Sequence, residues 1–104
     1  MTAARPNARR GQFQGMESVE IIGPFDTCSA ELETFIKQIL EEGQTAIVID
    51  MSRTTYVTSP AIVAIIKTIK WFHAVNGSVF IHGATSDIRD FMTLSRIDTF
   101  VKFI

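Results

Sequence analysis

Hydrophobic residues recur along this chain with a spacing that predicts three helices. From about Ser29 to Glu42 the apolar positions follow i, i+3, i+4, i+7 and i+8. A similar spacing returns in the segment that opens at Pro60 and reaches about Ala74. Such spacing places the apolar side chains on one face of a helix, which then packs on a core. A shorter helix is predicted to begin at Thr85 or Ser86 and to run to about Ser95.

Apolar runs between these helices predict strands. The run Thr45–Met51 is almost continuous, which is typical of a strand buried on both faces of a parallel sheet. Shorter candidates are Ser18–Ile22, Thr55–Val57, Val79–Ile81 and a closing segment Asp98–Ile104, an edge strand or a segment packed on the sheet. Strand, helix and strand joined by short connections predict right-handed crossovers. The expected fold class is therefore α/β, a single domain with helices packed on a mixed β-sheet in the order β-α-β-α-β-α.

The first fifteen residues differ from the rest of the chain. They contain Arg5, Arg9 and Arg10, no acidic residue and little that could be buried. This composition predicts a disordered basic tail over residues 1–15 and places the domain at 16–104. Two alternatives are a basic arm that contacts an acidic partner and a first edge strand through Gln12–Gln14.

The charge balance and the single cysteine restrict the classes of function that this protein could have. Without the three tail arginines, the 10 basic and 11 acidic residues of the chain become 7 against 11. An acidic domain argues against a nucleic-acid-binding face, which needs a basic stripe. Lys67 and Lys70 interrupt the longest apolar stretch, so no membrane insertion is expected. Cys28, the one cysteine, excludes an internal disulfide and fits a reducing, cytoplasmic location.

Residues with catalytic chemistry are scattered along the chain rather than grouped in motifs. His73 and His82 have no paired cysteines nearby, so no metal site is predicted. No glycine-rich phosphate loop follows a strand, so no nucleotide cofactor is expected. Ser59 lacks the G-x-S-x-G elbow that would suggest a hydrolase built with His82. We therefore expect no catalytic, metal-binding or cofactor-binding residues and a protein that is not an enzyme.

The stretch Thr58-Ser59-Pro60-Ala61 joins a short extended segment to the second helix. Serine is a favoured N-cap because its oxygen accepts from free N–H groups of the first turn. Proline suits the first helical position, where its missing N–H costs nothing. This pattern predicts Ser59 as the N-cap, at the positive end of the helix dipole, where a phosphate would also be stabilised. From these residues alone, Ser59 is either a simple cap or a cap that becomes phosphorylated.

Several segments together resemble a known family. They are Gly23–Asp26 before the first helix, Ile49–Ser52 at the end of the buried strand, Thr58–Ala61 at the start of the second helix, Gly77 before the next strand, and Leu94–Phe100 near the end. Their order and spacing resemble the STAS domain of bacterial anti-sigma factor antagonists. That family shows Gly-x-Leu-Asp, Asp-Leu-Ser and Asp-Ser-(Ser/Thr/Ala)-Gly at the first three places. The resemblance covers nearly all of the chain after residue 16.

The resemblance implies a regulatory binding module that works by partner switching. In such proteins an anti-sigma factor that is also a serine protein kinase phosphorylates the motif serine. A serine phosphatase then restores binding, which controls transcription by a sigma factor. Carried over by position, Ser59 would be the phosphoacceptor, and Asp26, Thr58, Ser59 and Pro60 would contact the partner. Thr58 stands where the family has aspartate, which makes it the second choice as acceptor.

A second interpretation within the same family involves no phosphorylation. The chain would then be an interaction subunit, for example a partner of a transporter ATPase or a component of a signalling scaffold. The departures Thr58, Pro60 and Ala61 from the family motif keep this alternative open.

Overall fold

The computed structural model describes residues 8–26 and 29–104, without the side chains of residues 29 and 30. Predictions for residues 1–7 and for Cys28 lie outside this range. The elements in chain order are β1 (Ala8–Phe13), β2 (Met16–Ile21), β3 (Gly23–Phe25), α1 (Ser29–Glu41), β4 (Ala46–Asp50), β5 (Thr54–Val57), α2 (Ser59–His73), β6 (Ser78–His82), α3 (Ser86–Leu94), a 3₁₀ turn (Ile97–Thr99) and β7 (Lys102–Phe103).

Five of the strands form one mixed sheet in the order β1-β2-β4-β6-β7. β1 and β2 are antiparallel, and the other neighbours in this sheet are parallel. A separate two-stranded parallel sheet pairs β3 with β5. The predicted α/β fold, with helices packed on a mixed sheet, is confirmed.

The core lies between the sheet and the apolar faces of the helices. Ile47, Val48 and Ile49 of the central strand β4 are fully buried, as a continuous apolar run predicts. α1 and α2 bury the faces that their spacing defined, including Leu32, Ile36, Ile39, Ile62, Ile65, Ile69 and Phe72. Val75 continues the apolar spacing of α2 along the sequence, but it is not buried. It lies beyond the end of α2 at His73 and is 45% exposed.

The prediction of a disordered tail over residues 1–15 is wrong for the residues that the structure describes. β1 pairs with β2 from Ala8 opposite Ile21 to Phe13 opposite Met16. Gln14 and Gly15 between them both have positive φ, 50° and 83°, which is the signature of a type I′ hairpin turn. The alternative prediction of a first edge strand through Gln12–Gln14 agrees better with the structure, although the observed strand begins earlier, at Ala8. The domain therefore begins within the segment that composition assigned to the tail.

Arg10 ties this edge strand to the helix layer. Its Nε donates to Glu17 Oε1 at 3.1 Å, and its Nη1 donates to Glu42 Oε2 at 2.8 Å. Glu17 lies on β2 and Glu42 directly follows α1. The hydrogen bond from Arg10 lowers the pKa of Glu42, because the guanidinium stabilises the carboxylate. A residue that composition assigned to a solvated tail therefore connects three elements.

Candidate functional site

Two short parallel strands bring the predicted site residues to one rim of the domain. β3 and β5 pair with Phe25 opposite Val57, so the next residues, Asp26 and Thr58, follow the same carboxyl end. The backbone N–H of Thr58 donates to the Phe25 carbonyl at 3.2 Å. Because Ser59 and Pro60 continue directly from Thr58, all four predicted partner-binding residues lie at this rim.

Polar contacts fix the position of this small sheet against the main one. Thr54, the first residue of β5, is 4% exposed, and its hydroxyl donates to the Ile21 carbonyl at 2.8 Å. Asp50 Oδ1 accepts from the backbone N–H of Ser52 at 3.0 Å and from its hydroxyl at 2.7 Å. The Asp50-Met51-Ser52 motif therefore shapes the turn that leads from β4 into β5.

The prediction that Ser59 caps α2 is wrong by one residue. The N-cap is Thr58, which has an extended backbone with φ −102° and ψ 169°. Ser59 and Pro60 are the first two helical residues. Thr58 makes no side-chain capping bond. Its hydroxyl donates instead to the Phe25 carbonyl at 3.3 Å, a partner from another strand that local rules cannot foresee.

The hydroxyl of Ser59 is left free for another use. Ser59 is exposed, and its side chain makes no hydrogen bond to any residue that the structure describes. At the first position of α2, it lies beside backbone N–H groups that have no partner within the helix. The same groups and the helix dipole favour a negative charge at this end.

A shallow groove of about 500 Å³ opens beside Ser59 between α1 and α2. Its lining combines apolar and charged side chains: Glu33, Ser59, Pro60, Val63, Ala64 and Lys67. An ion pair of 3.1 Å between Lys67 Nζ and Glu33 Oε1 connects the two helices here. Val63 is 52% exposed, which is high for a valine on a helix of this core. The groove offers a partner an apolar strip next to the free hydroxyl.

Tyr56 was not selected from the sequence, although it contacts Asp26 at the same rim. Its hydroxyl donates to Asp26 Oδ2 at 3.3 Å, and about half of its surface is exposed. The negative charge of Asp26 raises the pKa of Tyr56, because a phenolate beside a carboxylate is repelled. Strand periodicity could have identified Tyr56 from the sequence. Tyr56 is two residues before Thr58, and residues i and i+2 lie on the same side of a strand.

Replacing Asp26 with asparagine is expected to lower the pKa of Tyr56 toward its ordinary value. Asp26→Asn keeps the shape of the side chain and removes the charge that disfavours the phenolate. Tyr56 is the only tyrosine in the chain, so the phenolate absorbance in a pH titration reports this residue alone. Asp50→Asn is the matched control, because Asp50 binds Ser52 and should leave the titration unchanged. An unchanged pKa in Asp26→Asn would contradict the Tyr56–Asp26 contact.

Two further properties of the described chain bear on its chemistry. Within residues 8–26 and 29–104, no three His, Cys, Asp or Glu side chains are grouped so that they could hold a metal ion. None of the helices in the described part is both long and apolar enough to cross a membrane.

Comparison with known protein families identifies the fold. A family model of the STAS domain matches residues 12–104, so the chain belongs to the STAS domain family. A search of curated protein sequences found no match. Two of the segments on which the resemblance rests, Gly23–Asp26 and Thr58–Ala61, meet at the rim just described.

Solved structures of anti-sigma factor antagonists share this fold. One from Mycobacterium paratuberculosis is 19% identical, with 97% of this chain and 89% of that chain covered and a TM-score of 0.76. The Bacillus cell fate determinant SpoIIAA in its phosphorylated form is 13% identical, with coverage of 93% and 90% and a TM-score of 0.73. A putative antagonist from Thermotoga maritima is 15% identical, with coverage of 92% and 84% and a TM-score of 0.70. At such identities the likeness concerns the fold, and function has to be argued from the site.

Proposed function

We propose that this protein is a bacterial, cytoplasmic anti-sigma factor antagonist whose binding to its partner is switched by phosphorylation of Ser59. The partner is an anti-sigma factor with serine protein kinase activity, and a serine phosphatase resets the switch. The observation that carries this proposal is the free, exposed hydroxyl of Ser59 at the first position of α2. The similarity to SpoIIAA, a protein known in a phosphorylated form, supports it.

The switch follows from the charge that a phosphate adds. Phosphoserine carries about −1.5 to −2 charges at neutral pH. The N–H groups and dipole of α2 would stabilise that charge within the free protein. A partner that docks on Tyr56, Pro60 and Val63 would instead have to desolvate a dianion at the edge of an apolar contact. Asp26 adds a negative charge at the same rim, so the phosphorylated surface repels acidic groups of the partner.

Thr58 is the weaker of the two candidate acceptors. Its hydroxyl donates a hydrogen bond to the Phe25 carbonyl, and the residue is partly buried. A phosphate on Thr58 would therefore break a contact that joins β5 to β3. The family motif has an aspartate at the position of Thr58, and this chain therefore lacks that carboxylate. Asp26 provides an acidic side chain at the same rim instead.

Incubation with ATP and the cognate anti-sigma kinase is expected to add one phosphate, which mass spectrometry of tryptic peptides should locate on Ser59. Ser59→Ala should abolish the modification. Ser86→Ala should retain it, because Ser86 is the first residue of α3 and lies in no motif of the site. Absence of phosphate from both Ser59 and Thr58 would overturn the proposal. A stable partner complex without any such modification would favour the STAS interaction subunit instead.

A further inference from the structure

A second groove lies along the C-terminal half of α2. It is centred about 16 Å from Ser59 along the helix axis, at 1.5 Å per residue. Its volume is about 380 Å³, which is within the range of small-molecule sites. One wall is a single stripe of α2, with Ile66, Ile69, Lys70 and His73 at helical spacing. The other wall comes from the segment between α3 and β7.

The inside of this groove is apolar. Ile69 and Ile97 form part of the buried core beneath it, with 6% and 2% of their surfaces exposed. Phe100 stands at its side and is 53% exposed. The ring of Phe100 meets the His73 imidazole edge to face, with centroids 6.0 Å apart. A ligand in this position would therefore contact aliphatic and aromatic surface with most of its body.

Two cationic side chains line the same groove without a protein partner. Neither Lys70 nor Arg96 forms an ion pair or a side-chain hydrogen bond with any residue in the described part of the chain. Arg96 has a left-handed backbone, φ 60° and ψ 18°, a conformation that glycine adopts more easily than any other residue. The chain therefore has an arginine at the edge of this groove in spite of a local backbone preference for glycine.

We infer that this groove binds an organic anion with an apolar body, in particular a medium-chain carboxylate. Its alkyl chain contacts Ile69, Ile97 and Phe100, and its carboxylate pairs with Lys70 and Arg96. Arginine suits this task because its planar fork matches a carboxylate with two hydrogen bonds. The site shares no residue with the rim around Ser59, so it is independent of the proposed phosphorylation switch.

Titration of the ¹⁵N-labelled full chain with sodium decanoate tests this inference. We expect saturable amide shifts at Ile66, Ile69, Ile97 and Phe100, and none at Ser59. The neutral analogue 1-decanol and the cationic decyltrimethylammonium should bind more weakly, because they cannot pair with the two cations.

Arg96→Gly is the most informative variant, because glycine relaxes the left-handed backbone while the charge is removed. We expect it to weaken decanoate binding about fivefold, the effect of one partly exposed ion pair, without lowering the thermal midpoint. Lys70→Gln should have a similar effect. Arg53→Gln, which removes an exposed arginine from the turn between β4 and β5, should leave the affinity unchanged.

Several results would overturn the inference. They are the absence of saturable shifts, equal affinity for decanoate and 1-decanol, unchanged affinity in both Lys70→Gln and Arg96→Gly, or shifts that map to the groove beside Ser59. Concentration-dependent shifts of the same amides without decanoate would assign this face to a second copy of the chain. None of these outcomes bears on phosphorylation of Ser59, which has its own assay.

Discussion

Ser59→Glu is expected to weaken binding to the anti-sigma partner about thirtyfold, whereas Ser59→Ala should change the affinity by less than about threefold. A factor of thirty corresponds to about 2 kcal/mol, within the range for a charge brought against a like or apolar surface. Glutamate at the first helical position is compatible with α2, because acidic side chains are favoured there. The loss of affinity would therefore reflect weaker docking to the partner rather than unfolding of the variant. Titration calorimetry at one fixed ionic strength measures both variants.

Ser86→Glu provides the control for net charge and helical position. Ser86 is the first residue of α3 and is exposed, as Ser59 is in α2. Both variants add one negative charge at the same place in a helix, but only one adds it at the rim. Equal losses of affinity in the two variants would assign the effect to net charge and contradict the proposed docking surface. Raising the salt concentration should reduce such a long-range effect, since exposed charges are screened over about 10 Å at 0.1 M.

The helices and the central strand could be predicted because their apolar patterns are local. The segment predicted as Ser29–Glu42 is observed as Ser29–Glu41, and the run Thr45–Met51 contains β4 at Ala46–Asp50. β1 could not be found in this way. It is polar along most of its length and depends on pairing with β2 and on the contacts of Arg10, which come from residues elsewhere in the chain.

The sequence proposed the members of the candidate site, but it could not predict the contacts between them. The STAS resemblance selected Asp26, Thr58, Ser59 and Pro60, and the pairing of β3 with β5 brings them to one rim. The contact of Tyr56 with Asp26 and the bond from Thr58 to Phe25 each join residues about thirty positions apart. Local capping rules could not decide between Thr58 and Ser59 as N-cap, because both residue types are suitable and a distant carbonyl made the difference.

The groove at Lys70 could not be predicted from the sequence either, because it is formed by residues that are far apart along the chain. Helical periodicity assigns Lys70 to the polar side of α2, and this assignment is compatible with an exposed lysine on any surface. Arg96, Ile97 and Phe100 reach the same place from a segment more than twenty residues later. The tertiary arrangement alone shows that two cations without protein partners share an apolar groove.

Gly83→Ala is expected to lower the free energy of unfolding by about 3 kcal/mol. Gly83 follows β6 with φ +73°, where an L-residue is strained by about 1–2 kcal/mol. An added Cβ would also lie 2.6 Å from Ser52 Cβ and 2.7 Å from Ser52 Cα. Relief of this overlap requires movement of backbone rather than a side-chain rotation, and overpacking of this kind costs about 1–3 kcal/mol. Chemical denaturation with an unchanged m-value would measure the loss.

Gly43→Ala separates the two contributions to that loss. Gly43 also has a positive φ, +82°, but an added Cβ there would meet no atom within 4 Å. It should therefore lower the free energy of unfolding by about 1 kcal/mol, the backbone contribution alone. The additional loss in Gly83→Ala then measures how firmly Ser52 is held by Asp50 in the turn that leads into β5. If both variants lost the same free energy of unfolding, the turn between β4 and β5 would accommodate the added Cβ at no cost. The rim of Asp26 and Ser59 would then lack the rigid support that the hydrogen bonds of this turn imply.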